Sequence, residues 1–253
     1  MNYILALARE AIFQPRAFGA RVVRRARREL FRPPVDAIHW FHSIDLLGGG
    51  VTPGVMKLDR LQDIATRVFK YPVAGKTVLD IGAWDGFFSF EAERLGAADV
   101  LSTDSFCWGG PGWGTKAGFN FAHRARKSRI RSHEVDLYEM DPARLGQFDV
   151  VLFLGVLYHL TDPLGGLKRA AALARNHIVV ETVTNQNDAP FPAMQYAPGF
   201  RDDATNFWIP NVACVEAMLR TFGFSQFDIL LNPTTQGFER HIFHAWRQGN
   251  VTT

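Results

Sequence analysis

From Thr77 onward the chain alternates between short apolar runs of strand length and longer stretches whose apolar residues recur every three or four positions. Val78 to Ile81, Asp99 to Asp104, Ile130 to Val135, Phe148 to Leu154 and His177 to Val183 read as strands, several of them apolar on both faces as buried parallel strands are. Between them, Phe87 to Leu95, Phe119 to Arg131 and Pro163 to about Arg175 keep helical spacing. Such alternation predicts an α/β fold, a mostly parallel sheet with helices on both faces. A further helix, Val212 to Phe222, stops at Gly223, and two strands follow at Phe227 to Leu231 and His241 to Trp246. Upstream, Leu58 to Tyr71 is amphipathic, and residues 36–57 mix aromatics with a Gly/Pro-rich loop. Pro15 separates two helical stretches at 2–13 and 16–31, and Pro33-Pro34 ends them. The predicted organisation is a helical arm (1–34), a cap (35–76) and a core (77–253).

Charge changes this picture only at the N-terminus. Met1 to Arg32 holds eight arginines against two acids, a net of +6 on a chain whose total is +3, so the remainder carries −3. Phe18, Val22, Ala26 and Leu30 recur every four residues and leave Arg21, Arg24, Arg25 and Arg28 on the other faces. Such a helix either lies on RNA phosphate or an anionic membrane surface, or is a solvated arm packed on its own domain. A second basic cluster surrounds 119–131: Lys116, Arg124, Arg126, Lys127, Arg129 and Arg131. The two cysteines, Cys107 and Cys214, form no paired spacing, which argues against a disulfide scaffold or zinc site and fits a reducing cytosol. No apolar run has the length of a membrane span, so a cytoplasmic protein is expected. His39 and His42 would neighbour each other on a helix, but no third ligand has suitable spacing; they read as structural or substrate-facing histidines, and no metal is expected.

The chemistry concentrates at Thr77 to Phe90, TVLDIGAWDGFFSF, where a strand runs through glycines into a helix. That is the geometry in which backbone N–H groups and a helix N-terminus approach a nucleotide-like ligand. The next strand ends in Asp104, 24 residues after Asp80, near the roughly 20-residue spacing at which an acid meets ribose hydroxyls. Asp136, just beyond the third strand, either accepts from an adenine amine, with Leu137 beside it, or caps a helix. After the fourth strand comes Gly155-Val156-Leu157-Tyr158-His159, and Glu181 is an acid inside an apolar strand that must be paired or face a site. The glycine- and tryptophan-rich loop after Asp104, with Trp108 and Trp113, reads as a substrate lid, and 184–201 forms a second loop at the same edge.

The D-x-G-x-x-x-G pattern resembles motif I of the class I S-adenosylmethionine-dependent methyltransferases, with Trp84 where that family most often has its middle glycine. Five segments, FHSIDLLGGGVTPG, LDIGAWDGFFSFEAERLGA, GVLYHLTDPLGGLKRAAAL, VVETVT and NFWIPNVACVEAMLRTFGF, resemble in order and spacing the bacterial tRNA wobble-uridine carboxymethyltransferase-like family. The resemblance covers about residues 36–246 and implies a Rossmann-like sheet of seven strands ending in an antiparallel hairpin. It implies that Asp80, Gly82, Ala83 and Gly86 hold the methionine end of S-adenosylmethionine, Asp104 the ribose, and Asp136 with Leu137 the adenine, with Trp84 and Gly155 also in the cofactor site. Enzymes of that family that use carboxy-S-adenosylmethionine carry a lysine shortly before the segment matching His42 to Asp45. Here Ile38 stands in that region and no lysine lies between Arg32 and Val51; Arg240 is the nearest match to a C-terminal carboxylate-binding arginine. A donor with an added negative charge needs a cationic partner in a desolvated pocket, so ordinary S-adenosylmethionine is the expected cofactor.

Methyl transfer from a sulfonium needs alignment, plus a base where the acceptor is a hydroxyl or amine. His159 is the candidate base, or else a helix-entry residue that caps backbone, and Tyr158 a positioning donor. Trp108, Trp113, Glu181 and Arg240 are the candidate acceptor-side residues. Three functions compete: methylation of a hydroxyl on a small metabolite or sugar-like acceptor, modification of a tRNA wobble uridine, and a non-catalytic binding protein.

Overall fold

A computed structural model of the chain describes residues 35–110, 115–185, 189, 191–232 and 239–248. The chain divides into two compact units, 1–38 and 39–253. Within the first, Val35–Ala37 form a single 3-10 turn, and the arginine-rich arm lies outside the described residues.

The second unit is built on seven strands in the order β3-β2-β1-β4-β5-β9-β8: β1 (Thr77–Ile81), β2 (Asp99–Asp104), β3 (Arg131–Glu134), β4 (Phe148–Leu154), β5 (Ala174–Thr184), β8 (Phe224–Asn232) and β9 (Glu239–Arg247). The first five pair in parallel, and β9 is antiparallel to both β5 and β8. The sheet is the one expected from the strand-helix alternation and from the closing hairpin. Strand order reverses at β1 and β4, which pair with Ile81 opposite Phe153, so a crevice opens beyond their carboxyl ends. Gly82 and Gly155 are the first residues past those two ends.

Helices close over both faces: α1 (Leu58–Val68), α2 (Phe87–Arg94), α3 (Ala117–Ala125), a short α4 (Pro142–Leu145), α5 (Pro163–Leu173) and α6 (Val212–Thr221). α5 starts where Pro163 needs no N–H partner and where the Asp162 carboxylate accepts from Gly165 N at 2.8 Å. Asn211 caps α6 in the same way, accepting from Cys214 N at 2.8 Å. Leu79, Val151, Phe153, Ile178, Val180 and Phe243 meet Leu167, Leu173 and Leu219 in one core in which each is almost fully buried.

Two local expectations fail. His39 and His42 do not share a helix. Their segment is irregular, pinned by bridges between His42 and Met56 and between Asp45 and Val51. The amides of Phe41 and His42, which a helix would use internally, donate instead to Asp85 Oδ2 at 2.8 and 2.9 Å. Secondly, α5 stops at Leu173 rather than near Arg175, and β5 begins at once, because Ala174 already pairs with Phe148 at the foot of β4. The 184–201 loop also contains a strand, β6 (Met194–Tyr196), paired with β7 (Trp208–Pro210).

Candidate active site

The crevice at the reversal point opens into a cleft of about 1590 Å³. Single-ligand pockets run to about 300–1,000 Å³, so this one has room for a donor and an acceptor together. Asp80, Gly82, Ala83, Trp84, Asp104, Asp136, Leu137, Gly155, Tyr158, His159, Glu181 and Arg240 all line it. Residues up to 160 positions apart in sequence, Asp80 and Arg240, are brought together by the parallel crossovers and the antiparallel β9 that closes the sheet.

The motif-I turn differs in chemistry from the amide cradle expected. Gly82 N and Ala83 N both donate to the Thr103 carbonyl, at 2.8 and 3.0 Å, Trp84 N donates to Asp104 Oδ2 at 3.0 Å, and Gly86 N donates back to Ala83 O at 2.7 Å. These donors hold β1 to β2, and Gly82 is left-handed at φ +78° with the Val156 side chain 2.6 Å from where a Cβ would lie. Gly86 does not line the cleft. It caps α2 in a left-handed conformation at φ +89°, and a Cβ there would lie 2.7 Å from Phe119.

The acids are buried and held. Asp80 accepts from Ser89 Oγ at 2.5 Å, and burial pushes its carboxyl up to about 6 despite that bond. Asp104 accepts from Cys107 N at 2.9 Å as well as from Trp84 N, and burial raises it too. Asp136 caps the turn Leu137–Glu139, as one reading of the sequence had it, accepting from Tyr138 N at 2.8 Å, and it also lines the cleft.

Trp108 is not a lid residue. It is buried, its Nε1 donates to the Trp84 carbonyl at 2.6 Å, and Lys116 Nζ sits 3.7 Å over its ring. Packing against Phe119 gives the large ring more buried area than an exposed lid would. Trp113 lies outside the described residues.

At the far end of the cleft Glu181 and Arg240 form a buried fork, with Nε and Nη2 of the arginine 2.5 and 2.6 Å from the two carboxylate oxygens. Asn232 Nδ2 donates to Glu181 Oε1 at 3.0 Å. The guanidinium stands 5.0 Å over the Tyr158 ring. Burial works against the arginine's charge, but the Glu181 carboxylate more than restores it, so Arg240 stays protonated. Tyr158 and His159 share a 3-10 turn (Leu157–His159) directly after β4, with their rings 4.1 Å apart, and burial lowers the pKa of His159.

Sequence patterns gave no sign of Phe41 in the wall or of Asp85 behind it. Phe41 stacks on Trp84 at 4.0 Å and 5°, so the cap forms one side of the cleft, and Asp85 latches it there. Asp85 is itself buried and pushed up to about 6 by that burial. The signal that would have found it is the one that marked Glu181, an acid inside an apolar run. His42 is also in the wall, and burial takes it down to about 3, so it is neutral. Among the described residues no group of three potential ligands could hold a metal.

A sheet of this order with a glycine turn and paired acids at its reversal point defines a Rossmann-like protein of the nucleotide-cofactor class. The methyltransferase domain family matches residues 56–226, and the chain belongs to that family: it carries an S-adenosylmethionine-dependent methyltransferase domain. The tRNA U34 carboxymethyltransferase of Ectopseudomonas mendocina (strain ymp) is 30% identical over 158 residues, 60% of this chain and 46% of that protein. That of Trichlorobacter lovleyi is 27% identical over 175 residues, 67% of this chain and 51% of the other. The chain thus spans about half the length of the curated relatives it matches. Among solved structures, the N-terminal domain of EvdMO1 in the presence of SAH and D-fucose aligns with a TM-score of 0.64 at 18% identity, over 90% of this chain and 97% of that one. The Burkholderia thailandensis 1,6-didemethyltoxoflavin-N1-methyltransferase, with 1,6-didemethyltoxoflavin and S-adenosylhomocysteine bound, aligns at 0.56 and 17% identity, over 75% and 79%. Both likenesses concern the fold.

Proposed function

We propose that this protein transfers the methyl group of S-adenosylmethionine to a hydroxyl of a small, sugar-like or metabolite acceptor. The observation that carries the reading is a half-buried histidine, His159, in the wall of the same cleft as the motif-I turn, on the turn that follows β4. An in-line displacement at the methyl carbon asks the protein mainly for alignment, and a hydroxyl nucleophile asks in addition for a base that is unprotonated at neutral pH. The methionine end lies along Gly82 and Gly155, the ribose at Asp104 and the adenine edge at Asp136 and Leu137. The acceptor lies between Tyr158, His159 and the Glu181–Arg240 fork. The D-fucose present with the EvdMO1 domain is a hydroxylated sugar, and an acceptor of that kind fits the reading.

The second reading, modification of a tRNA wobble uridine, is favoured by the names of the curated relatives. It sits less well with the charges around the fork, where the transferred group of a carboxylated donor would need a free cation. Glu181 already occupies the Arg240 fork, and no lysine precedes Val51 after Arg32. Calorimetric titration with S-adenosylmethionine and with carboxy-S-adenosylmethionine tests the choice. Tighter binding of the plain donor is expected, together with His159→Ala losing at least about tenfold in turnover with donor affinity intact. Tighter binding of the carboxylated donor, with a salt-dependent tRNA complex, would overturn it in favour of tRNA.

A further inference from the structure

We propose that Asp203 and Thr205 form a polar relay that holds His159 with its proton on Nδ1 and its lone pair on Nε2, making Nε2 the atom that takes the acceptor's proton. The inference rests on the methyl-transfer reading for its chemistry, and on geometry alone for the tautomer. Thr205 Oγ1 donates to Asp203 Oδ1 at 2.6 Å, and Thr205 N donates to the same oxygen at 2.9 Å. With its single hydrogen given to the carboxylate, the threonine hydroxyl meets His159 Nδ1, 2.9 Å away, as an acceptor. The Thr205 carbonyl oxygen, which can only accept, lies 3.1 Å from the same nitrogen. Two acceptors facing one ring nitrogen require an N–H there, and a neutral imidazole has no second one.

The two segments are fastened to each other on both sides of the histidine. Phe207 N donates to the Tyr158 carbonyl at 2.9 Å, and Trp208 Nε1 donates to the Leu160 carbonyl at 3.0 Å. Just before the relay, Arg201 and Asp202 hold left-handed backbone at φ 62° and 55°, conformations that non-glycine residues adopt only where the surroundings impose them. His159, Arg201, Asp203, Thr205 and Asn206 all line the cleft, so the relay belongs to its acceptor side.

The reaction balances without any other partner. As the acceptor oxygen attacks the methyl carbon, its proton passes to Nε2. The C–S bond breaks with its electron pair going to sulfur, which turns the sulfonium into a thioether, and the O–CH₃ bond forms. The imidazolium then carries Nδ1–H toward Thr205, with the Asp203 carboxylate balancing its charge from behind. The charged groups that face His159 are Asp203, which favours protonation, and Arg240, which opposes it; the Tyr158 ring covers one side.

The test is long-range ¹H–¹⁵N correlation on histidine-labelled protein, with His159→Gln assigning the signal and no acceptor needed. Wild type is expected to show His159 as the Nδ1–H tautomer at neutral pH. Thr205→Ser is expected to preserve it. Asp203→Asn, whose amide oxygen accepts the threonine hydrogen less strongly than the carboxylate and lets the hydroxyl turn toward the ring part of the time, is expected to populate the Nε2–H form and to move the His159 titration down by about half a pH unit or more. With an acceptor in hand, the acid limb of the kcat/KM profile is expected to move with it and turnover to fall about tenfold. An Nε2–H tautomer in wild type would overturn the relay even if Asp203→Asn failed to fold, and so would an unchanged tautomer and titration in a folded Asp203→Asn. Absence of turnover on any acceptor, with the Nδ1–H tautomer intact, would instead strike the methyl-transfer reading and leave the relay standing.

Discussion

Replacing Glu181 by Gln separates the two charges at the end of the cleft without changing their shape, and it should alter which donor the protein prefers. In wild type the Glu181 side chain is 7% exposed and that of Arg240 16%, and both nitrogens of the arginine's inner edge are held by the carboxylate. A donor with a second carboxylate brought to this arginine would meet Glu181 at nearly the same distance. At about 5 Å and an effective dielectric near 20, attraction and repulsion are each about 3 kcal/mol, and they cancel. Removing the Glu181 charge leaves the attraction alone. Halving it for solvent in an open cleft gives about 1.5 kcal/mol, or roughly a tenfold gain for carboxy-S-adenosylmethionine relative to S-adenosylmethionine. The same change leaves a buried guanidinium half-paired and should lower stability by about 3 kcal/mol, so the titrations need a temperature at which the variant is shown to be folded. The assay is calorimetry with both donors on both proteins. An unchanged ratio of the two dissociation constants in folded Glu181→Gln would refute the idea that this pair selects the donor, and would reduce it to a structural ion pair.

A second histidine pair lies away from the cleft: His177 Nε2 is 3.1 Å from His244 Nδ1, and His244 Nε2 is 2.8 Å from the Arg67 carbonyl, so both rings are neutral links in one chain of N–H donors. Burial holds His177 well below its ordinary range, so the unfolded chain takes up the extra proton below about pH 6.5, and stability falls as pH drops, by about 1.4 kcal/mol per pH unit. His177→Gln, which keeps a donor toward His244, should flatten that part of the profile between pH 7.5 and 5.5 in denaturant titrations; an unchanged slope would show the pair does not titrate on unfolding. Gly86→Ala forces a side chain into left-handed backbone 2.7 Å from Phe119 and should lose about 2 kcal/mol or more in chemical denaturation; a loss well under 1 kcal/mol would contradict the packing. Gly155→Ala, also at positive φ, has no atom nearer than 3.8 Å and should cost only about 1 kcal/mol of fold stability. Its methyl group would enter the cleft toward Tyr158 and Arg240, so S-adenosylmethionine affinity should drop by about tenfold or more, and full retention of affinity would mean the donor runs elsewhere.

Much of the architecture was legible because burial on both faces leaves a plain mark. Val78 to Ile81 and Phe148 to Leu154 are apolar runs since both sides of β1 and β4 meet core. Strand ends were less so: His177 looked like the start of a strand that begins three residues earlier, because Arg175 and Asn176 are polar and fall in the irregularity between the Ala174–Phe148 and His177–Val150 pairs. Trp108 looked like a lid because glycines and tryptophans suit mobile loops. Its indole N–H found a carbonyl, the one seat in which a tryptophan can be both buried and satisfied.

The sequence by itself determined the fold class and which acids and glycines gather where the strand order reverses, since a strand, a glycine turn and two acids at fixed spacing are local features that the backbone must obey wherever the rest of the chain goes. Three things were decided only by the tertiary structure. The motif-I amides serve the β1–β2 junction, Glu181 and Arg240 answer each other, 59 positions apart, and Asp203 and Thr205 stand behind His159. Each joins residues whose separation in sequence follows no period, and a hydrogen bond depends on distances of about 3 Å that only the packed sheet and its loops set.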